Sequence, residues 1–220
     1  MKEDALAQFI VTYLETKGYE CYKEVCLKGK GGNIRSDCYA VMKQKGQVVF
    51  SLALETKTSF SLKVIQQAYS WKKHAHAVYI GVPYSKRKTK LNEFAIQICR
   101  SYGIGIFEVD KNGLVHHTLV AEAPAKKVVY PPLYEQQKSS VAGTSTGVFY
   151  TSYKHTVSLM DEYMKTKTGW VEMNDLLANI KHHYKSATSA KASLTKYITS
   201  GVIKGYQIAT VDRICKIKKT

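Results

Sequence analysis

Little in this sequence ties it to an oxidising or a membrane setting. Its five cysteines (Cys21, Cys26, Cys38, Cys99 and Cys215) form no CxxC pair and lie mostly inside apolar runs. That spacing argues against a structural zinc site and marks them as small core residues of a reducing compartment. No apolar stretch approaches the length of a bilayer span, and the opening MKEDALAQFIVTYLE has acidic residues at once instead of an apolar block before a small-residue cleavage site. A cytoplasmic protein without membrane attachment is expected. Internal repeats and low-complexity tracts are absent as well, and the glycines of KGKGG (28–32) do not make a P-loop. Negative charge is scarce: 33 Lys and Arg face 17 Asp and Glu, a net of +16 over 220 residues. Such an excess points to a polyanionic partner, nucleic acid before membrane.

What is present is a clear alternation of element types. Leu6, Phe9, Ile10, Tyr13 and Leu14 recur at helical spacing between Glu3 and Lys17, with Gly18 as a stop. Three strands are expected next, over 20–27, 36–42 and 48–56, separated by the turns KGKGGN and KQKGQ. A helix (61–75), a buried strand (76–83), a second helix (88–103) and a strand (104–110) follow, an αβββαβαβ order of a mixed α/β domain, to which 112–121 would add an edge strand, closing the domain at 121. Residues 122–149 collect Pro, Gly, Ser and Thr without a period and read as a linker. From 150 to 220 come three helices, at about 150–165, from near Trp170, and over 189–200, and then a hairpin, the order of a small α+β winged helix. Residues 151–220 hold 12 basic and 5 acidic residues, so this smaller domain is the denser cation.

The chemistry concentrates in RSDCYAVMKQKGQVVFSLALETK (35–57). A hairpin centred near Lys45 pairs positions whose numbers sum to about 90, which sets Asp37 opposite Ala53. Ala53, Glu55 and Lys57 share one strand face, so Glu55 becomes the diagonal neighbour of Asp37. Two carboxylates this close repel unless a cation sits between them, and a hard divalent ion, Mg²⁺ with Mn²⁺ as a substitute, suits oxygen ligands. Asp37, Glu55 and the Thr56 carbonyl would hold it beside a phosphodiester. Lys57 would orient the attacking water or stabilise charge developing on phosphorus.

These residues, RSD at 35–37 and ETK at 55–57, resemble the PD-(D/E)XK nuclease signature, with Arg-Ser before Asp37 where the nominal motif has proline. The resemblance covers about residues 1–110 and implies a restriction-endonuclease-like core of helix, three-stranded meander, helix and strand. Catalysis would fall to Asp37, Glu55 and Lys57. Members often place a further glutamate at the metal, and Glu3 on the first helix or Glu24 on the first strand would serve; Glu3 equally suits a helix N-terminus electrostatically. RecB-like branches carry a Gln with an aromatic residue four positions on, a spacing matched by Gln67 and Trp71, which would set an amide near Lys57 or a phosphate.

Basic residues complete the expected nucleic-acid surface: Lys28 and Lys30 in the glycine turn, Arg35 before the aspartate, and Lys86, Arg87 and Lys88 in SKRKTK. On the third helix of the winged-helix region stand Lys191 and Lys196, with Lys204 placed near the tip of the wing; that region would hold DNA or a partner protein. The sequence thus predicts a Mg²⁺-dependent endonuclease acting on double-stranded DNA in restriction, repair, recombination or transposition. It would act as a homodimer or with a partner subunit. A non-catalytic DNA-binding or regulatory protein on the same scaffold and a structured-RNA nuclease are the alternatives.

Overall fold

The chain is seen in a computed structural model that describes residues 1–29, 32–84, 92–122, 127–140, 142–143 and 150–220, with residues 28 and 29 in backbone only. It divides into two compact units, Met1–Tyr150 and Thr151–Thr220.

The first unit is a six-stranded mixed sheet covered on both faces. Helix α1 (Glu3–Thr16) is followed by strands β1 (Glu20–Gly29), β2 (Gly32–Gln44) and β3 (Gln47–Thr56), then α2 (Leu62–Ser70), β4 (Ala77–Pro83), α3 (Glu93–Ser101), β5 (Ile104–Val109) and β6 (Val115–Leu119). The strands lie in sequence order, β1-β2-β3-β4-β5-β6. The β3–β4 and β4–β5 pairs are parallel and the rest antiparallel. Parallel neighbours need crossovers, which α2 and α3 supply. Alternation then sorts each strand between two cores. Tyr39, Ala53, Val78 and Ile80 join Trp71 and the α2 and α3 side chains; Cys38, Leu54, Tyr79 and Phe107 join α1. Because both faces are buried, β3 and β4 read as continuous apolar runs.

Both helices that follow the meander are shorter than the spacing predicts. α2 ends at Ser70, and α3 starts at Glu93 because Asn92 caps it by accepting from Ala95 N (3.3 Å). Gly81 on β4 shows how tightly α1 is seated: a Cβ there would stand 2.3 Å from Ile10 Cδ1 and 3.0 Å from Thr56 Cγ2. Gly81→Ala is expected to cost about 1–3 kcal/mol by overpacking, measured as a lowered denaturation midpoint.

The hairpin register differs from the expectation. Lys45 (φ 50°) and Gly46 (φ 79°) close a two-residue turn, and a bulge at Met42/Lys43 then shifts the ladder, so that Tyr39, not Asp37, faces Ala53. Carried two residues past that pair, the same register sets Asp37 opposite Glu55.

The stretch read as a linker is docked on the first unit in its described part. Val129 N donates to Lys73 O (3.0 Å), Lys23 Nζ donates to Lys138 O (2.8 Å), and Lys138 Nζ bridges Glu20 and Glu135 at 2.8 Å each. Gln137 and Ala142 are buried.

The second unit has its own core, built on Met160, Met173, Leu176, Leu194 and Ile217. It comprises α4 (Ser152–Lys165), β7 (Val171–Glu172), α5 (Met173–Asn179), α6 (Ala187–Thr199), β8 (Tyr206–Val211) and β9 (Ile214–Lys219), the strands ordered β7-β9-β8 and antiparallel. Two expectations need correction here. The helix expected from Trp170 through Tyr184 is only the seven residues of α5, because Val171 and Glu172 pair with β9 and Ile180 is extended. His182 and His183 therefore follow the helix, and His183 Nδ1 lies 2.7 Å from Thr156 Oγ1. Lys204 is not at the hairpin tip, which is Asp212–Arg213, both at positive φ; it is exposed in the loop before β8. Asp-Arg is a weaker hairpin signal than Asp-Gly, whereas Gly201 and Gly205 flank Lys204. Among the described residues no helix is long and apolar enough to cross a membrane.

Candidate active site at the ends of β2 and β3

The six residues of RSD and ETK each have a distinct environment. Arg35 Nε pairs with Glu24 Oε2 at 3.1 Å. Ser36 Oγ, fully buried, lies 2.6 Å from Cys38 O and 3.0 Å from Leu54 O, so its proton ties β2 to β3. Asp37 Oδ2 accepts from Thr56 N (2.6 Å) and from Thr56 Oγ1 (2.8 Å), which fixes the carboxylate against the end of β3 and leaves Oδ1 for a ligand. Glu55 is buried beside it. Lys57 N donates to Gly81 O (3.0 Å), while Lys57 Nζ forms an ion pair with Glu3 Oε1 at the start of α1.

Electrostatics follow from this burial. Burial raises the Asp37 pKa above the usual carboxylate value, against the two Thr56 hydrogen bonds and the Lys57 charge, while Glu3 adds a smaller upward push. Glu55 is driven well above its ordinary value, first by burial and then by the Asp37 charge; Lys57, Arg35 and the Trp71 indole oppose this. Burial would lower the Lys57 pKa, but Glu3, Asp37 and Glu55 together hold it above normal. Two acids reluctant to ionise thus adjoin a firmly cationic lysine.

The donor set fits a hard divalent cation. Glu55 Oε1 and Gln67 Oε1 are buried oxygens with no hydrogen-bond partner. Among the described residues no three His, Cys, Asp or Glu side chains form a metal-holding group. An ion at this site would therefore rest on Asp37, Glu55 and the Thr56 carbonyl, with solvent or phosphate completing its shell, as Mg²⁺ commonly accepts.

The structure brings Asp37, Glu55, Thr56, Lys57 and Glu3 into one neighbourhood. Glu24 is buried next to it at φ 55°, unusual for a non-glycine residue within a strand, and is engaged by Arg35. Gln67 lies on α2, one turn before Trp71. Sequence reasoning missed the Thr56 side chain as the clamp on Asp37 and Ser36 as the β2–β3 tie. Hydroxyls inside apolar runs were the available signal, since a buried hydroxyl requires a partner. Lys30, Lys86, Arg87 and Lys88 lie outside the described residues, as does the side chain of Lys28. On α6, Lys196 is exposed and Lys191 partly so, while Ala190, Leu194 and Ile198 face the core.

No family model matches the chain, and no curated protein matches it. Among solved structures, AF1548, a protein of unknown function, aligns over 91% of this chain and 100% of its own at 14% identity, with a TM-score of 0.37. A likeness that distant carries no functional conclusion.

Proposed function

We propose that this protein is a metal-dependent endodeoxyribonuclease of the PD-(D/E)XK type, with a restriction-endonuclease-like first unit and a winged-helix second unit that holds DNA or a partner. The observation that supports this most is the buried Asp37–Glu55 pair on adjacent strands with Lys57 beside it. Asp37, Glu55 and the Thr56 carbonyl would hold Mg²⁺, which when bound polarises the phosphodiester and lowers the pKa of coordinated water. Thr56 keeps Asp37 oriented through two hydrogen bonds, and Glu3 keeps Lys57 charged and aimed along the strand end. Lys57 Nζ, as an ammonium, orients the attacking water and stabilises negative charge gathering on the phosphoryl oxygens. Gln67 offers an amide to the same region. The excess of basic residues supports a nucleic-acid substrate, and a cytoplasmic setting suits the free thiols.

Cleavage of supercoiled, linear, nicked and branched DNA in Mg²⁺ or Mn²⁺, with EDTA as control and structured RNA as competitor, tests this reading. Metal-dependent cutting of DNA is expected. Tight binding without cutting under any metal would leave a regulatory scaffold, and preferential cutting of RNA would replace the substrate. For the second unit, Lys191→Ala and Lys196→Ala are each expected to weaken binding similarly across DNA sequences. Each should also lower the slope of log affinity against log salt by about 1, measured by fluorescence anisotropy.

A further inference from the structure

A concave site separate from the carboxylate pair lies in the first unit, on the face of the sheet covered by α1, whereas Glu55 is on the opposite face with Ala53. It is a cavity of about 410 Å³ between the C-terminal half of α1 and the strands, walled by Tyr13, Tyr19, Phe50, Tyr79 and Phe107 and floored by Leu52 and Ala77. That volume suits a molecule of one or two rings. Its surface is unusually aromatic. Tyr79 and Phe107 stack at 4.2 Å and 10°, and His117 meets the Phe107 ring edge-on at 4.7 Å.

Among the described residues the polar groups around this cavity are few, and a single one of them carries charge. Tyr13 OH and His117 Nε2 satisfy each other at 2.8 Å, and Tyr79 OH accepts from Ala121 N at 3.2 Å. Lys17 remains at the rim, its Nζ 5.5 Å from the centroid of the Tyr13 ring. Burial and the Lys17 charge both lower the His117 pKa, so the imidazole stays neutral and lysine supplies the local charge. Among the described residues no acidic side chain lines the cavity. Tyr19 keeps its proton, because burial and then the neighbouring Tyr79 and Tyr13 raise its pKa, and so adds a hydroxyl donor.

We propose that this cavity binds a small planar aromatic anion, its ring system against the Phe50, Tyr19 and Tyr79 walls and its carboxylate or phosphate on Lys17. Aromatic walls favour a flat ring over a branched aliphatic chain, and an apolar pocket with one convergent cation selects an anionic head. The proposal is independent of nuclease activity.

The test is NMR titration of the full chain with 1-naphthoate, 1-naphthyl phosphate and uncharged 1-naphthamide, following the aromatic resonances of Tyr79, Phe107 and His117. Saturable shifts with at least one anion are expected, and whichever anion binds more tightly identifies the head group. Naphthamide should bind more weakly. Lys17→Met, at an exposed position, should weaken the anion about tenfold, the worth of one charge-assisted hydrogen bond, and leave naphthamide unchanged. Val120→Trp should block every probe by filling the cavity from its exposed rim. Asp37→Ala should bind the probes as the wild type does. The proposal is overturned if no probe shifts these resonances or if naphthamide matches the anions. It is also overturned if raising protein concentration alone produces the same shifts, which would make the cavity an interface between copies.

Discussion

Replacing Lys57 by alanine is expected to lower metal-dependent DNA cleavage by about 10²–10³-fold, the usual loss when one preorganised donor to a developing charge is removed, while DNA affinity changes little. Among the described residues no other cation at the site replaces it: Arg35 is committed to Glu24, and the Glu3 partner is an anion. Glu3→Gln leaves the carboxylates and the lysine in place and should cost less, roughly tenfold. It also removes the carboxylate charge that helps to hold the Lys57 pKa up, so the alkaline limb of the pH–rate profile should move to lower pH. Single-turnover rates on a fixed duplex from pH 6 to 10 read both effects. A Lys57→Ala enzyme that cuts at the wild-type rate would remove the lysine from the chemistry, and with it the main support for the proposed class.

Much of this site was legible because strand periodicity is strict. Once KQKGQ is read as a hairpin turn, Asp37 and Glu55 fall at the same level of adjacent strands, and any register that keeps them on one face brings the carboxylates together; the order of elements around them follows from helical and alternating patterns. What the sequence does not display is the bulge at Met42/Lys43: the turn alone pairs Lys43 with Val48, a register that would put Asp37 and Glu55 on opposite faces, and the bulge shifts the ladder by one so that they share a face and stand opposite each other. A bulge depends on how the hairpin twists beneath its covering helices, and no residue type announces it. The docking of residues 127–140 and 142–143 was equally hidden. Its contacts are single pairs such as Lys138 with Glu20 and His74 Nδ1 with Val129 O, spread over distant positions without any period. The second unit failed at one point for a related reason: WVEMNDLLANIKHHY has a helical pattern throughout, yet pairing of Val171 and Glu172 with β9 outweighs that local preference at its start.

Glu55→Gln should abolish cleavage and yet stabilise the protein at neutral and alkaline pH. Folding buries Glu55 beside Asp37 and lifts its pKa well above the unfolded value. A carboxyl group whose pKa rises on folding gives its full contribution to stability below the unfolded pKa and loses it as pH climbs through the folded pKa. The wild type is therefore destabilised on the alkaline side of that window, and glutamine, nearly isosteric and uncharged, is not. The variant should melt higher at pH 8, by about 2–4 °C for each kcal/mol recovered, and the difference should close as pH falls toward 4. Asp37→Ala is the contrasting case. It leaves the buried N–H and hydroxyl of Thr56 without their acceptor, at a cost of about 1–3 kcal/mol, which offsets what is gained by removing a charge. If the pair holds Mg²⁺ as proposed, the ion should raise the melting temperature of the wild type, because it would bind the ionised pair in the folded state alone, and should leave Glu55→Gln nearly unmoved. Calorimetry across pH 4–9 with and without Mg²⁺ makes the comparison; a stability gap independent of pH would mean that Glu55 is solvated and ionised in the folded protein, and the pair would then have no need of a cation.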